Sequence, residues 1–338
     1  TSYLSKYSLT RITHRNSAGF MGDDITFGEK ERVVEVDMYK NIHNINEFKT
    51  ISSNAAQNYK LQVDLDFTGV TYNIGTFSGK LDGNGHTISN IRETNNNFIN
   101  LLRKGTIKNL TIDTYINSGN GGSGVASYGG VIGQADQSSN IDNVHLKNIS
   151  ITDRNTYVGG FIGYTNGILI TNSSITNVHV YETNKNNILF SGRYGGFVGE
   201  NNNTVIQNSF AQDVNVEITY AASTYGIGGF VGRHNSGYVQ DCYVEGVVNT
   251  TQQEVGGIAG YNSGYIERTL SAVDVYSQQD SVGGIVGYST NDNIFNTLVV
   301  GNVYSAKNAL NQNRTIGNRT AVNTNYAWSN QLINGLID

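Results

Sequence analysis

One pentad, Gly-Gly-x-x-Gly, occurs six times: Gly129-Gly130-Val131-Ile132-Gly133, Gly159-Gly160-Phe161-Ile162-Gly163, Gly195-Gly196-Phe197-Val198-Gly199, Gly228-Gly229-Phe230-Val231-Gly232, Gly256-Gly257-Ile258-Ala259-Gly260 and Gly283-Gly284-Ile285-Val286-Gly287. Successive copies start 30, 36, 33, 28 and 27 residues apart, the longer intervals holding insertions such as Glu182 to Ser191. A period of that size marks a stacked array, in which each unit buries its apolar face only against its neighbours. Such an array grows by addition, so 338 residues imply one elongated body rather than several compact cores.

About ten residues after each pentad comes an apolar strand, as in Ile141-Asp-Asn-Val144, Ile206-Gln-Asn-Ser-Phe210, Val239-Gln-Asp-Cys-Tyr243, Ile266-Glu-Arg-Thr-Leu270 and Ile294-Phe-Asn-Thr-Leu298. A third closes the unit, as in Val214-Asn-Val216 or Val273-Asp-Val-Tyr276. Three short strands in ~30 residues suit one coil of a parallel β-helix, whereas a propeller blade needs four strands and ~40 residues. The expected fold is therefore all-β: a parallel β-helix of about eight coils over residues 58–310. The pentad glycines are expected at its corners, supplying positive φ and close coil-to-coil approach. Their pattern also resembles a phosphate loop, but no copy leads into a helix or a Lys-Ser/Thr pair. The absence of proline agrees with a backbone whose N–H groups serve ladders on both sides.

The flanks differ. Residues 1–38 alternate in short stretches, Tyr7 to Thr13 and Glu31 to Val36, and form a separate β segment without pentads. Within 39–57, Ile45, Phe48 and Ile51 fall on one helical face, and Asn44 precedes Glu47 by three residues, a variant of the capping box; this predicts a short helix of about ten residues that caps the open end of the stack. Asn58 to Phe67 alternates strictly and predicts one strand with Tyr59, Leu61, Val63, Leu65 and Phe67 on one face. Residues 311–338, with Trp328 and the apolar tail Leu332 to Ile337, form a C-terminal cap or linker.

Charge excludes some functions. Only 14% of residues are charged and the net charge is −5, with no Lys/Arg cluster to neutralise phosphates, so nucleic acid is not an expected partner. No apolar run approaches the ~20 residues of a membrane span. A lone Cys242 rules out a disulfide within the chain.

With the pentads, the Asn-Ser-Gly-Tyr pattern between them, and the leading Asn58-Tyr-x-Leu-x-x-Asp-Leu-Asp-Phe67 and Leu81-Asp-Gly-Asn-Gly-His-Thr-Ile88, the chain resembles the GLUG-repeat proteins of bacterial surfaces over residues 45 to about 300. Among them it looks most like the non-catalytic β-helical region upstream of the protease in streptococcal IgA1-specific zinc metallopeptidases. The resemblance implies an extracellular or cell-surface protein whose partners are the catalytic domain of its own parent chain and a host glycoprotein or immunoglobulin. It departs from those peptidases in one respect. Their His-Glu-x-x-His motif is missing, since His14, His43, His86, His145, His179 and His234 are followed by Arg, Asn, Thr, Leu, Val and Asn. No catalytic set, metal site or cofactor is therefore expected in this chain.

Several residues still invite chemistry. Asp64, Asp66 and Asp82 would make a carboxylate cluster of the kind a polysaccharide lyase or hydrolase needs, if they met on adjacent coils; as strand and turn residues they need not. His145 and His179 share an Asn-Val-His context one coil apart, which would stack two imidazoles for a metal ion. Cys242 aligns with Ser209, Thr269 and Thr297 as a buried small-residue column, and Asn208 with Asn296 as an internal amide ladder. Tyrosine is in excess, at 21 residues, and Tyr238 and Tyr265 take the same place in successive coils. With Tyr261 they are the expected binding face, a packed ladder or a flat amphipathic surface for a glycan or protein, as on an adhesin stalk.

Overall fold

The structure is a computed structural model and describes residues 3–7, 32–36, 38–94, 96–118, 128–152, 156–182, 191–219, 223–307, 312–313, 315–318, 325–327, 332–333 and 336–337. Most of the Glu182 to Ser191 insertion, and Trp328, lie outside them. The chain forms two compact units, Thr1–Lys40 and Asn41–Asp338. In the first, β1 (Tyr3–Tyr7) pairs antiparallel with β2 (Arg32–Val36), placing Tyr3 opposite Val36 and Tyr7 opposite Arg32.

The second unit is a parallel β-helix. A short strand, Lys40–Ile42, pairs with Tyr59–Leu61 and leads into α1 (Ile45–Lys49), which continues as a 3-10 turn over Thr50–Ser53. The Asn44 side chain accepts the Glu47 N–H at 3.0 Å, while the Glu47 carboxylate reaches one residue further back than a capping box requires, to the His43 N–H at 2.7 Å. Phe48 and Ile51 are fully buried and Ile45 half-buried. Phe48 stacks on Phe98 at 5.8 Å and meets Phe67 edge-on at 5.4 Å, so the helix lays its apolar face on the aromatic core of the first coils.

Coils pair strand to equivalent strand in parallel, and in this unit only the last two described strands, Leu332–Ile333 and Leu336–Ile337, pair antiparallel. Nine strands, from Ile74–Phe77 to Ile316–Asn318, make one sheet and seven, from Tyr128–Gly129 to Gln312–Asn313, make another. A third, continuous ladder carries the longest strands, Thr106–Asn117 and Asn140–Thr152. Each pentad is the bend between the seven- and nine-stranded sheets: Gly228 ends one strand and Val231 begins the next. The three glycines are confined from three directions. A Cβ on Gly228 would lie 2.1 Å from the Val231 carbonyl of its own bend, one on Gly229 2.4 Å from the Gly257 carbonyl of the next coil, and one on Gly232 2.6 Å from the Gly199 carbonyl of the preceding coil.

Positive φ, expected of these glycines, occurs among them only at Gly130. The left-handed corners belong to asparagine and its like. Asn109, Asn143, Asn172, Asn208, Asp241, Arg268 and Asn296 hold φ between 48° and 55° at one corner on consecutive coils, and Asn148 and Asn177 hold 56° and 54° at a second. Asn and Asp tolerate this region best among residues with a Cβ. The burial pattern shows its effect: Ile107, Leu110, Ile112 and Tyr115 point inward, every second residue except where left-handed Asn109 and Thr114 each insert one more and swing the chain around a corner.

Two sequence expectations fail for the same reason. The alternation from Asn58 to Phe67 is not one strand: it stops at Leu61 and resumes at Leu65, and the corner between leaves Val63 37% exposed while Tyr59, Leu61, Leu65 and Phe67 are buried. Asn208 and Asn296 are exposed corner residues rather than an internal ladder. Amide-to-amide bonds do join coils, but on the outside, from Asn143 Nδ2 to Asn109 Oδ1 at 3.0 Å and from Asn177 Nδ2 to Asn148 Oδ1 at 2.7 Å. Cys242, Ser209, Thr269 and Thr297 are all buried. Burial pushes the Cys242 thiol up to about 12, and its Sγ–H donates to the Gln240 carbonyl at 3.1 Å.

Candidate functional site

A β-helix in which coil follows coil turns sequence repeats into outward columns. Tyr238 and Tyr265 are register partners, their rings stacked with centroids 4.8 Å apart and planes 16° from parallel. Val205 and Leu169 continue the column on the preceding coils. The tyrosines are 41% and 40% exposed, but at this separation two nearly parallel rings must overlap, so each turns one face to the other.

Tyr261 lies elsewhere, in the nine-stranded sheet, where it stacks on Tyr288 at 5.6 Å and carries the Arg233 guanidinium 4.1 Å above its ring. In the same sheet Glu200, nearly buried, lies 3.0 Å from Arg193 and accepts from Asn202 and Asn235 at 2.9 Å each. The three tyrosines singled out in sequence therefore occupy two ladders.

The carboxylates are engaged in turns. Asp64 accepts the Thr87 N–H at 2.9 Å and pairs with His86 at 3.1 Å, and these bonds hold its pKa below the usual range. Asp66 accepts from Asn90 and Thr68, with the same effect. Asp82, nearly buried, accepts from the Asn84 N–H and from Asn109 Nδ2.

The expected stacking of His145 on His179 does not occur. His145 is opposite Ser174, to which its Nδ1 is bonded at 2.8 Å, and His179 is opposite Ser150. Their shared context hides different corners, since Asn143 turns the first and Asn177 the second. Among the described residues no group of three or more His, Cys, Asp and Glu is placed to hold a metal ion, and no helix is long and apolar enough to cross a membrane.

Two features escaped the sequence reading. The first is an interior polar column, in which Thr165, Asn201, His234, Asn262 and Ser289 are register partners on successive coils, all buried. His234 Nε2 lies 3.2 Å from the Tyr265 carbonyl and donates to it, and desolvation pulls the imidazole pKa down to about 4. The second is an open groove of about 370 Å³ lined by Val247, Asn249, Thr250, Tyr276, Ser277, Gln278 and Tyr304. The tripeptide Val-Tyr-Ser at 275–277 and again at 303–305 was its signal in the sequence.

Fold and surface thus define a class: a parallel β-helix that presents outward ladders and an open groove. Among solved structures the chain is similar to one described as "IgA1 Protease", at 17% identity and a TM-score of 0.55, over 91% of this chain and 26% of that one. A candidate immunoglobulin A1 protease from Bacteroides ovatus also aligns, at 17% identity and a TM-score of 0.48, over 86% of this chain and 84% of that one. The shared property is the fold; the chain spans about a quarter of the first protein's length. No protein-family model matches the sequence, and no curated protein does.

Proposed function

We propose that the chain is a non-catalytic, extracellular β-helical scaffold of a bacterial surface zinc endopeptidase of the IgA1-protease type, holding a host glycoprotein substrate in position for a catalytic domain elsewhere in the parent chain. The observation that carries this reading is the fold shared with 26% of an IgA1 protease chain, which makes the helix one module among others there. It is supported by Asp64, Asp66 and Asp82 being tied into turns and by His145 and His179 lying out of register. A stack whose coils are joined by parallel ladders is a stiff spacer, and its outward columns are the surface a large substrate would meet.

The test is kinetic. In the parent protease, removal of residues 58–310 should lower kcat/KM for intact immunoglobulin A1 by at least about tenfold while leaving cleavage of a short hinge peptide near its original rate. Equal loss on both substrates, or loss on neither, contradicts substrate positioning.

A further inference from the structure

We propose that the groove between Tyr276 and Tyr304 binds a neutral sugar residue, its C–H face against the tyrosine rings and its hydroxyls bonded to the Asn249 and Gln278 amides. The site differs from the Tyr238–Tyr265 ladder in ring geometry. Asn249, Tyr276 and Tyr304 are register partners on three successive coils, but the two rings stand 6.2 Å apart and tilted by 43°, so they do not stack face to face as Tyr238 and Tyr265 do. Both are about 40% exposed, at 39% and 43%, and Val247 adds apolar surface to the lining.

The lining selects the ligand. At about 370 Å³ the groove falls within the range of small-molecule sites. No charged side chain is among its lining residues. Charged side chains lie outside the lining: Asp274 accepts the N–H and Nδ2 of Asn302 at 2.7 and 3.0 Å, Lys307 Nζ donates to Gln279 at 2.7 Å, and Glu217 is the register partner of Asn249 on the preceding coil. Among the residues that line the groove an ionic ligand would find no counter-charge. An extended peptide would find no free strand edge, because the backbone is paired from coil to coil, as where the Val275 N–H bonds the Asn302 carbonyl. A lipid tail needs an enclosed apolar cavity, and this groove is open and rimmed by amides.

What remains is a ligand with one weakly polar C–H face and a hydroxyl rim. The electron-rich face of tyrosine attracts polarised C–H groups, and each primary amide supplies two donors and an acceptor. Thr250 and Ser277 hydroxyls are already bonded to the carbonyls of Ile218 and Gln252, which leaves Asn249 and Gln278, exposed at the rim, for the ligand. This reading is independent of the protease scaffold, since the groove would bind a sugar with no catalytic partner present.

The experiment measures binding of neutral tetrasaccharides of glucose, galactose and N-acetylglucosamine to the 338-residue chain by saturation-transfer NMR and calorimetry, with a tetragalacturonate as acidic control. At least one neutral probe should bind. Tyr276→Ala and Tyr304→Ala should each weaken it about tenfold or more, Asn249→Ala and Gln278→Ala severalfold, while Tyr276→Phe and Tyr238→Ala should leave it near wild type. Where an alanine variant does not fold, the amide variants decide. Absence of binding by all three neutral probes at millimolar concentration, preference for the acidic control, or binding that survives both tyrosine truncations would overturn the proposal.

Discussion

Gly264 lies directly against the ring of His234, so close that a Cβ built on it would sit 2.3 Å from His234 Nε2. The imidazole is fully buried and its Nε2 is fixed to the Tyr265 carbonyl, so it has no room to retreat. Gly264→Ala should therefore cost about 1–3 kcal/mol in urea unfolding, as overpacking of a filled interior does. In a His234→Ala background the same substitution should cost much less, and equal costs in both backgrounds would show that the clash lies elsewhere.

Acid should loosen the same coil. His234 has a folded pKa of about 4, below its unfolded value of 6.5, so its contribution is full above pH 6.5 and is lost as pH falls through that value to about 4. The loss is on the order of 3 kcal/mol. Glu93, nearly buried, acts in the opposite sense: burial raises its pKa to about 7, so its contribution is full below pH 4.5 and is lost as pH rises through 7. The two windows overlap with opposite sign, so urea midpoints of the wild type should change little between pH 4.5 and 7, whereas the midpoint should rise towards acid in His234→Asn and fall towards acid in Glu93→Gln.

Pentad glycines should not tolerate a methyl group. Gly229→Ala would press a Cβ to 2.4 Å from the Gly257 carbonyl and should destabilise by more than about 2 kcal/mol. A methyl group on Gly75 would meet nothing within 4 Å, so Gly75→Ala should fall within about 0.5 kcal/mol of wild type. Thermal unfolding of the two variants side by side makes the comparison.

The left-handed corners predict a different ranking. At Asn208, φ is +50° and the side chain is exposed, so Asn208→Gly should be nearly neutral. Asn208→Val should cost about 1–2 kcal/mol, because a β-branched residue fits that region poorly. Equal midpoints for the two variants would contradict the corner assignment.

The coil, its period and its stacked columns were legible because pentad spacing and apolar alternation are local signals. The corners were not. Asn143 and Asn177 look alike in sequence, and only inter-coil register reveals that they turn different corners and so part His145 from His179. Val63 misled for the same reason, since alternation does not record where a chain bends. Tyr238 and Tyr265 were found as register partners, but whether rings stack or tilt open depends on packing, and so the Tyr276–Tyr304 groove stayed hidden. Nothing in the sequence marks His234 as interior; its register partners Asn201 and Asn262 show that it lies inside the helix.

Coil register is what sets every surface column of this protein, and spin labels read it directly. In a Cys242→Ser background, nitroxides at Tyr238→Cys and Tyr265→Cys should sit on adjacent strands about 4.8 Å apart and show strong spin–spin broadening, while labels at His145→Cys and His179→Cys should show far less. Equal broadening in the two pairs, or its absence in the tyrosine pair, would contradict the stacked β-helix.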